Sequence, residues 1–119
     1  MSLTGSAQLH LLERFMDLTA ERQKLLSSNI ANIDTPGYRT RDIDFHGELT
    51  RAMQDESNAR TAPLIREVPG LIVRPDGNNV SVDRESLLLS QVQLQFDAAS
   101  QLVREQFKLL NIAIHEGGS

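Results

Sequence analysis

The stretch DIDFHG, residues 42–47, comes closest in residue type and spacing to metal chemistry. Carboxylates one residue apart with a glycine at the sixth place resemble the opening of an EF-hand calcium loop. The pattern then fails, because His46 replaces the expected Asp or Asn and Met53 occupies the place of the bidentate glutamate. We therefore expect no calcium here, and interpret one of the two aspartates as the cap of a following short helix, with Phe45 packing inward.

Other catalytic or metal-binding patterns are equally weak. The three histidines, His10, His46 and His115, lie far apart and lack the helical spacing of a metal pair. The absence of cysteine excludes disulfides, thiol nucleophiles and cysteine-based zinc sites. No nucleophile elbow or glycine-rich phosphate loop is present. We predict that the chain is not an enzyme and binds no metal or cofactor.

Composition narrows the remaining classes. The 119 residues suit one domain, and an aromatic content of 4% leaves Leu, Ile, Val and Ala to build the core. A net charge of -4 with scattered Lys and Arg argues against nucleic-acid binding. We expect neither a cleaved secretory signal nor a membrane span, since charged residues interrupt the apolar runs.

An amphipathic helix is predicted over residues 8–33. Its polar residues Thr19, Arg22 and Gln23 interrupt the apolar stripe at the middle, so either a polar neighbour or solvent meets the helix there. The stripe recurs at three- and four-residue steps, as one face of a helix requires, and consists of Leu9, Leu12, Phe15, Met16, Leu18, Leu25, Leu26, Ile30 and Ile33.

A second, longer helix is predicted over residues 83–116. Asp83 is expected to cap it, Glu85 sits in its first turn, and Gly117 follows its end. About 30 residues at roughly 1.5 Å each give about 45 Å, which is longer than a compact domain of this size is wide. Its apolar seam is formed by Leu89, Val92, Phe96, Ala99, Val103, Phe107, Leu110 and Ile114.

The middle of the chain, residues 34–82, is irregular and holds all four prolines. Residues 45–53 predict a short helix, and the polar residues 54–63 have the composition of a mobile loop. Residues 71–80 predict a small β-hairpin whose turn has Pro75 at its second position. We therefore expect a single unit, residues 1–119, of mainly α class: an elongated antiparallel, coiled-coil-like pair of terminal helices with an irregular middle.

The stretch SNIANIDTPGY, residues 28–38, predicts a helix terminator with a set exit path. Asn32 and Asp34 can bond to the last backbone groups, Pro36 cannot continue a helix, and Gly37 permits a backbone conformation closed to other residues. Tyr38 then offers an apolar ring with a polar tip. Such a turn fixes the direction of the chain after the helix, which an interface in a polymer needs.

These residues resemble the Ala-Asn-x-x-Thr-x-Gly-Tyr signature of the flagellar axial proteins, which comprise the rod, hook and hook-associated subunits. The continuation RTRDIDF, the downstream DGNNVSVDRE and the short length are most similar to the proximal rod proteins of the basal body. The family pattern falls on Ala31, Asn32, Thr35, Gly37 and Tyr38, with Pro36 as a further residue of the turn, and in a second block on Asp76, Gly77, Asn78, Asn79 and Val80.

The resemblance implies a structural subunit that links the membrane ring and export gate to the rest of the rod. Its partners would be other rod proteins, membrane-ring and export-gate proteins and copies of itself. It would reach the periplasmic rod through the flagellar type III apparatus without a cleaved signal. The expected helix interface consists of Leu12, Phe15, Leu26, Ile30, Leu89, Val92, Phe96, Ala99, Val103, Phe107, Leu110 and Ile114.

A different class of protein competes with this interpretation. A soluble coiled-coil adaptor or export chaperone would also carry paired amphipathic helices, and would release its partner instead of being built into a polymer. Cell fractionation distinguishes the two, because a rod subunit stays with purified basal bodies.

Overall fold

The computed structural model of the chain describes residues 3–54 and 62–117. The molecule measures 70 × 26 × 16 Å, and its two terminal helices pack against each other. The prediction of a mainly α, elongated fold is confirmed. In chain order the elements are α1 (Leu3–Ala31), β1 (Arg41–Ile43), α2 (Phe45–Gln54), β2 (Ile65–Glu67) and α3 (Val82–Gly117).

The terminal helices α1 and α3 run antiparallel. Asn29 near the end of α1 bonds to Glu85 near the start of α3, while Gln23, earlier in α1, bonds to Gln93, later in α3. The residue that is earlier in α1 contacts the residue that is later in α3, so the two helices run in opposite directions.

A small core lies where α2 and β1 cover α1. Leu18, Leu25 and Ile43 are buried together, and Phe45 packs against them from α2. The rings of Phe15 and Phe45 meet edge to face, with centroids 5.2 Å apart and an interplanar angle of 87°. The expected inward packing of Phe45 is thus confirmed.

The amino terminus of α2 is capped as predicted. The Asp44 carboxylate accepts a hydrogen bond of 3.1 Å from the backbone N–H of Gly47, and its carbonyl accepts one of 2.8 Å from that of Glu48. This satisfies donors that have no partner within the helix. The DIDFHG stretch therefore has a structural explanation that requires no metal.

The predicted hairpin at residues 71–80 is wrong in its position. This segment contains a turn, in which Gly77 N–H bonds to Arg74 C=O at 2.9 Å, but no strand. The observed antiparallel pair is β1 with β2, with Ile43 opposite Ile65. One further cross-turn bond joins the Arg74 N–H to the Asn78 carbonyl at 2.8 Å, but the Asn79 N–H donates to the Tyr38 carbonyl at 3.3 Å, so the pairing does not continue into a strand. Most of the predicted mobile loop, residues 55–61, lies outside the described residues.

The cap of α3 also differs from the prediction. The Ser81 hydroxyl, and not Asp83, accepts a hydrogen bond of 3.3 Å from the Arg84 N–H. The helix begins at Val82, one residue earlier than expected, so Asp83 falls inside the first turn. Glu85 consequently points inward and is fully buried.

Two features are absent from residues 3–54 and 62–117. No helix there has both the length and the apolar character required to cross a membrane. In the same ranges no three His, Cys, Asp or Glu side chains are grouped so that they could hold a metal ion.

Candidate functional site

The two motif blocks of the sequence lie directly against each other. We name residues 31–38 the first turn motif and residues 76–80 the second turn motif. The Gly37 N–H donates to the Asp76 carbonyl at 2.9 Å, and the Asn79 N–H donates to the Tyr38 carbonyl at 3.3 Å. Segments that are distant in sequence therefore form one unit, which we name the turn–turn contact.

Asn78 supplies the interior of this contact. Its side chain is fully buried, and its Nδ2 donates to the carbonyls of Asn32 at 2.8 Å and Thr35 at 2.9 Å. Its Oδ1 accepts from the Val80 N–H at 2.8 Å. The same two carbonyls also accept backbone N–H groups, from Thr35 at 3.1 Å and Tyr38 at 3.2 Å, so the Asn78 amide adds a second bond to each and ties the second turn motif to the first.

Asn79 and Arg74 extend the contact on either side. The Asn79 Oδ1 accepts from the Thr40 N–H at 2.6 Å, just before β1. The Arg74 guanidinium donates to the carbonyls of Ile33 at 2.5 Å and Val80 at 2.7 Å. Arg74 was not identified from the sequence as a residue of this site. The available signal was a cation immediately before a Pro-Asp-Gly turn, since cations are favourable near the carboxyl end of a helix.

Glycines allow the two turns to approach. Gly37 and Gly77 have φ of 76° and 86°, in the left-handed region that favours glycine. A Cβ on Gly37 would meet nothing within 4 Å, whereas one on Gly77 would lie 3.3 Å from the Gly37 Cα. Backbone conformation therefore explains glycine at position 37, while position 77 requires glycine for both conformation and space.

The outer side of the first turn motif faces solvent. Thr35 and Pro36 are exposed, although the Thr35 hydroxyl donates to the Asn32 side chain at 3.0 Å. Asn32 in turn donates to the Ser28 carbonyl at 2.8 Å. Ala31, the last residue of α1, is exposed as well. The motif thus has a bonded inner side and an open outer side.

A buried asparagine in α1 joins the turn–turn contact to both long helices. Asn29 Nδ2 donates to the Arg41 carbonyl and to the Glu85 carboxylate, each at 2.9 Å. Its Oδ1 accepts from the Tyr38 hydroxyl at 2.9 Å and from the Arg41 N–H at 3.2 Å. All donors and acceptors of the amide are satisfied. Asn29 was also missed, although a polar residue beside the apolar stripe of a helix was a usable signal.

A group of charges lies beside Asn29. Arg22 binds Asp42 through two hydrogen bonds of 3.0 Å, and Arg84 contacts Asp42 at 3.5 Å and Glu85 at 2.5 Å. Asp42 is 5% exposed and Glu85 is fully buried, so these are charge pairs with little water access. The polar interruption of the α1 stripe at Arg22 is explained by a polar neighbour.

The predicted helix-interface residues differ in how far they are buried: some are buried, some are partly buried and some are exposed. Leu26, Val92 and Ala99 are buried. Phe107 and Ile114 are 50% and 60% exposed, so nothing in the described part of the chain covers them fully. The partly buried members are Leu12, Phe15, Ile30, Leu89, Phe96, Val103 and Leu110.

Apolar surface remains accessible along the helix pair. An open groove of about 310 Å³ lies between α1, α2 and α3, and α3 exposes a series of large apolar side chains. Surfaces of this kind mark interaction sites. The groove is lined by Gln8, Leu11, Leu12, Phe15, Leu49 and Gln106. The exposed large apolar residues of α3 are Val82, Leu87, Leu94, Leu102, Phe107, Leu109, Ile112 and Ile114.

Known proteins are similar to this sequence over most of its length. The sequence profile of the family described as "Flagella basal body rod protein" matches residues 16–39, which include the second half of α1 and the first turn motif. The flagellar basal body rod protein FlgB of Escherichia coli strain K12 is 32% identical, over 89% of this chain and 92% of the relative.

Two further relatives agree. FlgB of Borrelia hermsii is 32% identical over 87% of this chain and 93% of its own length. FlgB of Salmonella typhimurium is 31% identical over 95% and 96%, respectively. The match thus extends through both long helices and both turn motifs, and the chain belongs to the FlgB family of flagellar basal body rod proteins.

Proposed function

We propose that this chain is a structural subunit of the proximal rod of the bacterial flagellar basal body. It polymerises through its terminal helices, links the membrane ring and export gate to the rest of the rod, and serves flagellum-dependent motility. The observation that carries the proposal is the elongated α1–α3 pair with its exposed apolar side chains, found in a member of a rod family.

The mechanism is mechanical and requires no catalytic group or cofactor. Neighbouring subunits would cover apolar side chains that one copy leaves exposed, such as Phe107 and Ile114. Burial contributes about 25 cal/mol per Å² of apolar area, of which only part remains after the cost of ordering. Repeated along a polymer of long helices, such contacts produce stiffness.

The turn–turn contact sets the geometry of each subunit. Asn29 ties α1 to β1 and α3, and Asn78 ties the end of α1 to the segment entering α3. Sliding of one helix along the other would leave these buried amides unpaired, at a cost of about 1–3 kcal/mol per group. A subunit of constant shape is what a regular polymer requires.

The partners and the route follow from the same proposal. The neighbours would be other rod proteins, membrane-ring and export-gate proteins and copies of this chain. The chain would reach the periplasmic rod through the flagellar type III apparatus.

Site-specific crosslinking in cells that build flagella tests the proposal. Photoreactive residues should replace Phe107 and Pro36, because both are exposed, whereas the Tyr38 hydroxyl is bonded inward to Asn29. We expect adducts to rod or membrane-ring proteins within purified basal bodies. Adducts only to soluble proteins, with the chain absent from basal bodies, would instead support the adaptor or export chaperone.

A further inference from the structure

The exposed apolar side chains of α3 include a stripe that α1 does not cover. We name Leu87, Leu94, Ala98, Leu102 and Leu109 the outer stripe. Its leucines are 54% to 70% exposed, and Ala98 is exposed too. At 100° per residue the stripe is centred roughly 120° around the helix from the buried Val92.

The outer stripe is symmetric about Ala98. Leu94 and Leu102 lie four residues before and after it, and Leu87 and Leu109 lie eleven residues before and after it. If two α3 helices cross antiparallel at Ala98, each leucine meets a leucine of the other copy. The small central residue lets the two backbones approach closely.

We infer that the outer stripe is a self-association surface, on which a second copy of the chain packs with its α3 antiparallel and Ala98 against Ala98. The contact spans about 33 Å from Leu87 to Leu109. Within the stripe, Glu105 falls opposite Gln91 of the second copy, so a carboxylate meets an amide donor.

Charge favours this antiparallel orientation. Asp97 lies one residue from the crossing point and is therefore near Asp97 of the other copy in either orientation. Farther out, the exposed charged residue in the first half of α3 is Asp83, whereas in the second half Arg104 and Lys108 outnumber Glu105. Antiparallel packing places the acidic half of one copy beside the basic half of the other. Parallel packing would place like halves together and lose this complementarity.

The size of the contact indicates a weak pair. The leucines of the two stripes would lose roughly 600 Å² of apolar area, and flanking side chains bring the total to roughly 1,000 Å². This lies at the lower end of specific interfaces, and we expect a Kd on the order of 100 µM.

The antiparallel pair forms between subunits that are not part of a rod. The same surface is used on both copies, so the contact closes on itself and cannot extend into a filament. The next step rests on the proposed rod function. The antiparallel pair must separate before the outer stripe is available to neighbouring subunits in a rod. Self-association therefore competes with incorporation.

Crosslinking of single cysteines in the full chain tests the orientation, since the chain has no cysteine of its own. Ala98→Cys should form a disulfide-linked dimer on mild oxidation. Leu87→Cys and Leu109→Cys should each crosslink poorly alone but efficiently when mixed. The exposed Ser86, outside the stripe, supplies the control Ser86→Cys, which should remain monomeric. Self-crosslinking of Leu87→Cys and of Leu109→Cys would overturn the antiparallel pair.

Sedimentation velocity of cysteine-free protein, over a concentration series spanning the expected Kd, provides an independent measurement. We expect the weight-average sedimentation coefficient to rise with concentration, and Leu94→Glu or Leu102→Glu to abolish the rise. Ser86→Glu should leave it unchanged, and circular dichroism should show equal helicity in all three variants. A monomer at every concentration would overturn the inference, whatever the chain's location in basal bodies proves to be.

Discussion

Gly77 approaches Gly37 so closely that a Cβ on Gly77 would lie 3.3 Å from the Gly37 Cα. The two glycines belong to different motif blocks, one following α1 and the other preceding α3. Hydrogen bonds on both sides of this approach connect the same two segments. The separation of the two turns is therefore set at a backbone-to-backbone contact, which side-chain rearrangement cannot relieve.

Gly77→Ala should destabilise the chain more than the same change at another left-handed glycine. Gly70 has φ of 79° and open space around its Cβ position, so Gly70→Ala costs conformational energy alone, about 1–2 kcal/mol. Gly77→Ala adds the close contact, and we expect about 1 kcal/mol more. Urea unfolding followed by circular dichroism measures both. Equal losses of unfolding free energy in the Gly70 and Gly77 variants would show that the two turns can move apart without an energetic cost.

Gly37→Val should prevent assembly while secretion continues. A β-branched residue at φ of 76° is strongly disfavoured, so the chain leaves α1 along a different path. The measurement is swimming motility together with the amount of chain in purified basal bodies. Gly70→Val introduces a similar strain outside the turn–turn contact and serves as control. Normal motility of the Gly37 variant would remove this turn from the mechanism.

Asn29→Ala should be among the most damaging polar substitutions. It leaves the fully buried Glu85 carboxylate without the amide donor and removes the partner of the Tyr38 hydroxyl. Glu85 keeps its pair with Arg84 at 2.5 Å, so the expected loss is that of unsatisfied buried polar groups, about 1–3 kcal/mol. Ser27→Ala, at an exposed neighbouring position, should change the free energy of unfolding by less than about 0.5 kcal/mol. Thermal and urea unfolding would contradict this expectation if the two variants were alike.

Arg22→Met should cost far more stability than Lys24→Met on the same helix. Arg22 pairs with the nearly buried Asp42, and its removal leaves that carboxylate with Arg84 at 3.5 Å, so we expect a loss of about 3 kcal/mol. Lys24 pairs with Glu21 at 3.7 Å on the surface, where such pairs are worth about 0–1 kcal/mol. Chemical unfolding at low and high salt compares them. A strong salt dependence of the Arg22 effect would indicate an exposed pair instead.

The long helices were predictable because their patterns are local. Three- and four-residue spacing of apolar side chains places Leu26, Val92 and Ala99 on continuous faces, and those faces are buried in the structure. The cap of α2 at Asp44 and the inward Phe45 were predictable for the same reason. Each involves residues within one or two helical turns.

The hairpin at residues 71–80 was mispredicted because its turn is genuine and its strands are not. Pro75 and Gly77 do produce a turn, as their types indicate. The pairing ends after the bond from the Arg74 N–H to the Asn78 carbonyl, because the next N–H, that of Asn79, donates to the Tyr38 carbonyl after α1. Local turn chemistry could not reveal a competing partner elsewhere in the chain.

Sequence alone determined the helical class, the elongated shape and the two turns, together with a resemblance to rod proteins, because all of these depend on neighbouring residues. Only the tertiary structure decided that the turns contact each other, that Asn29 and Glu85 are buried together, and that one apolar stripe of α3 is covered while another is exposed. These outcomes depend on which segments meet after folding. Hydrogen bonds and charge pairs between distant residues leave no periodic pattern in a single sequence.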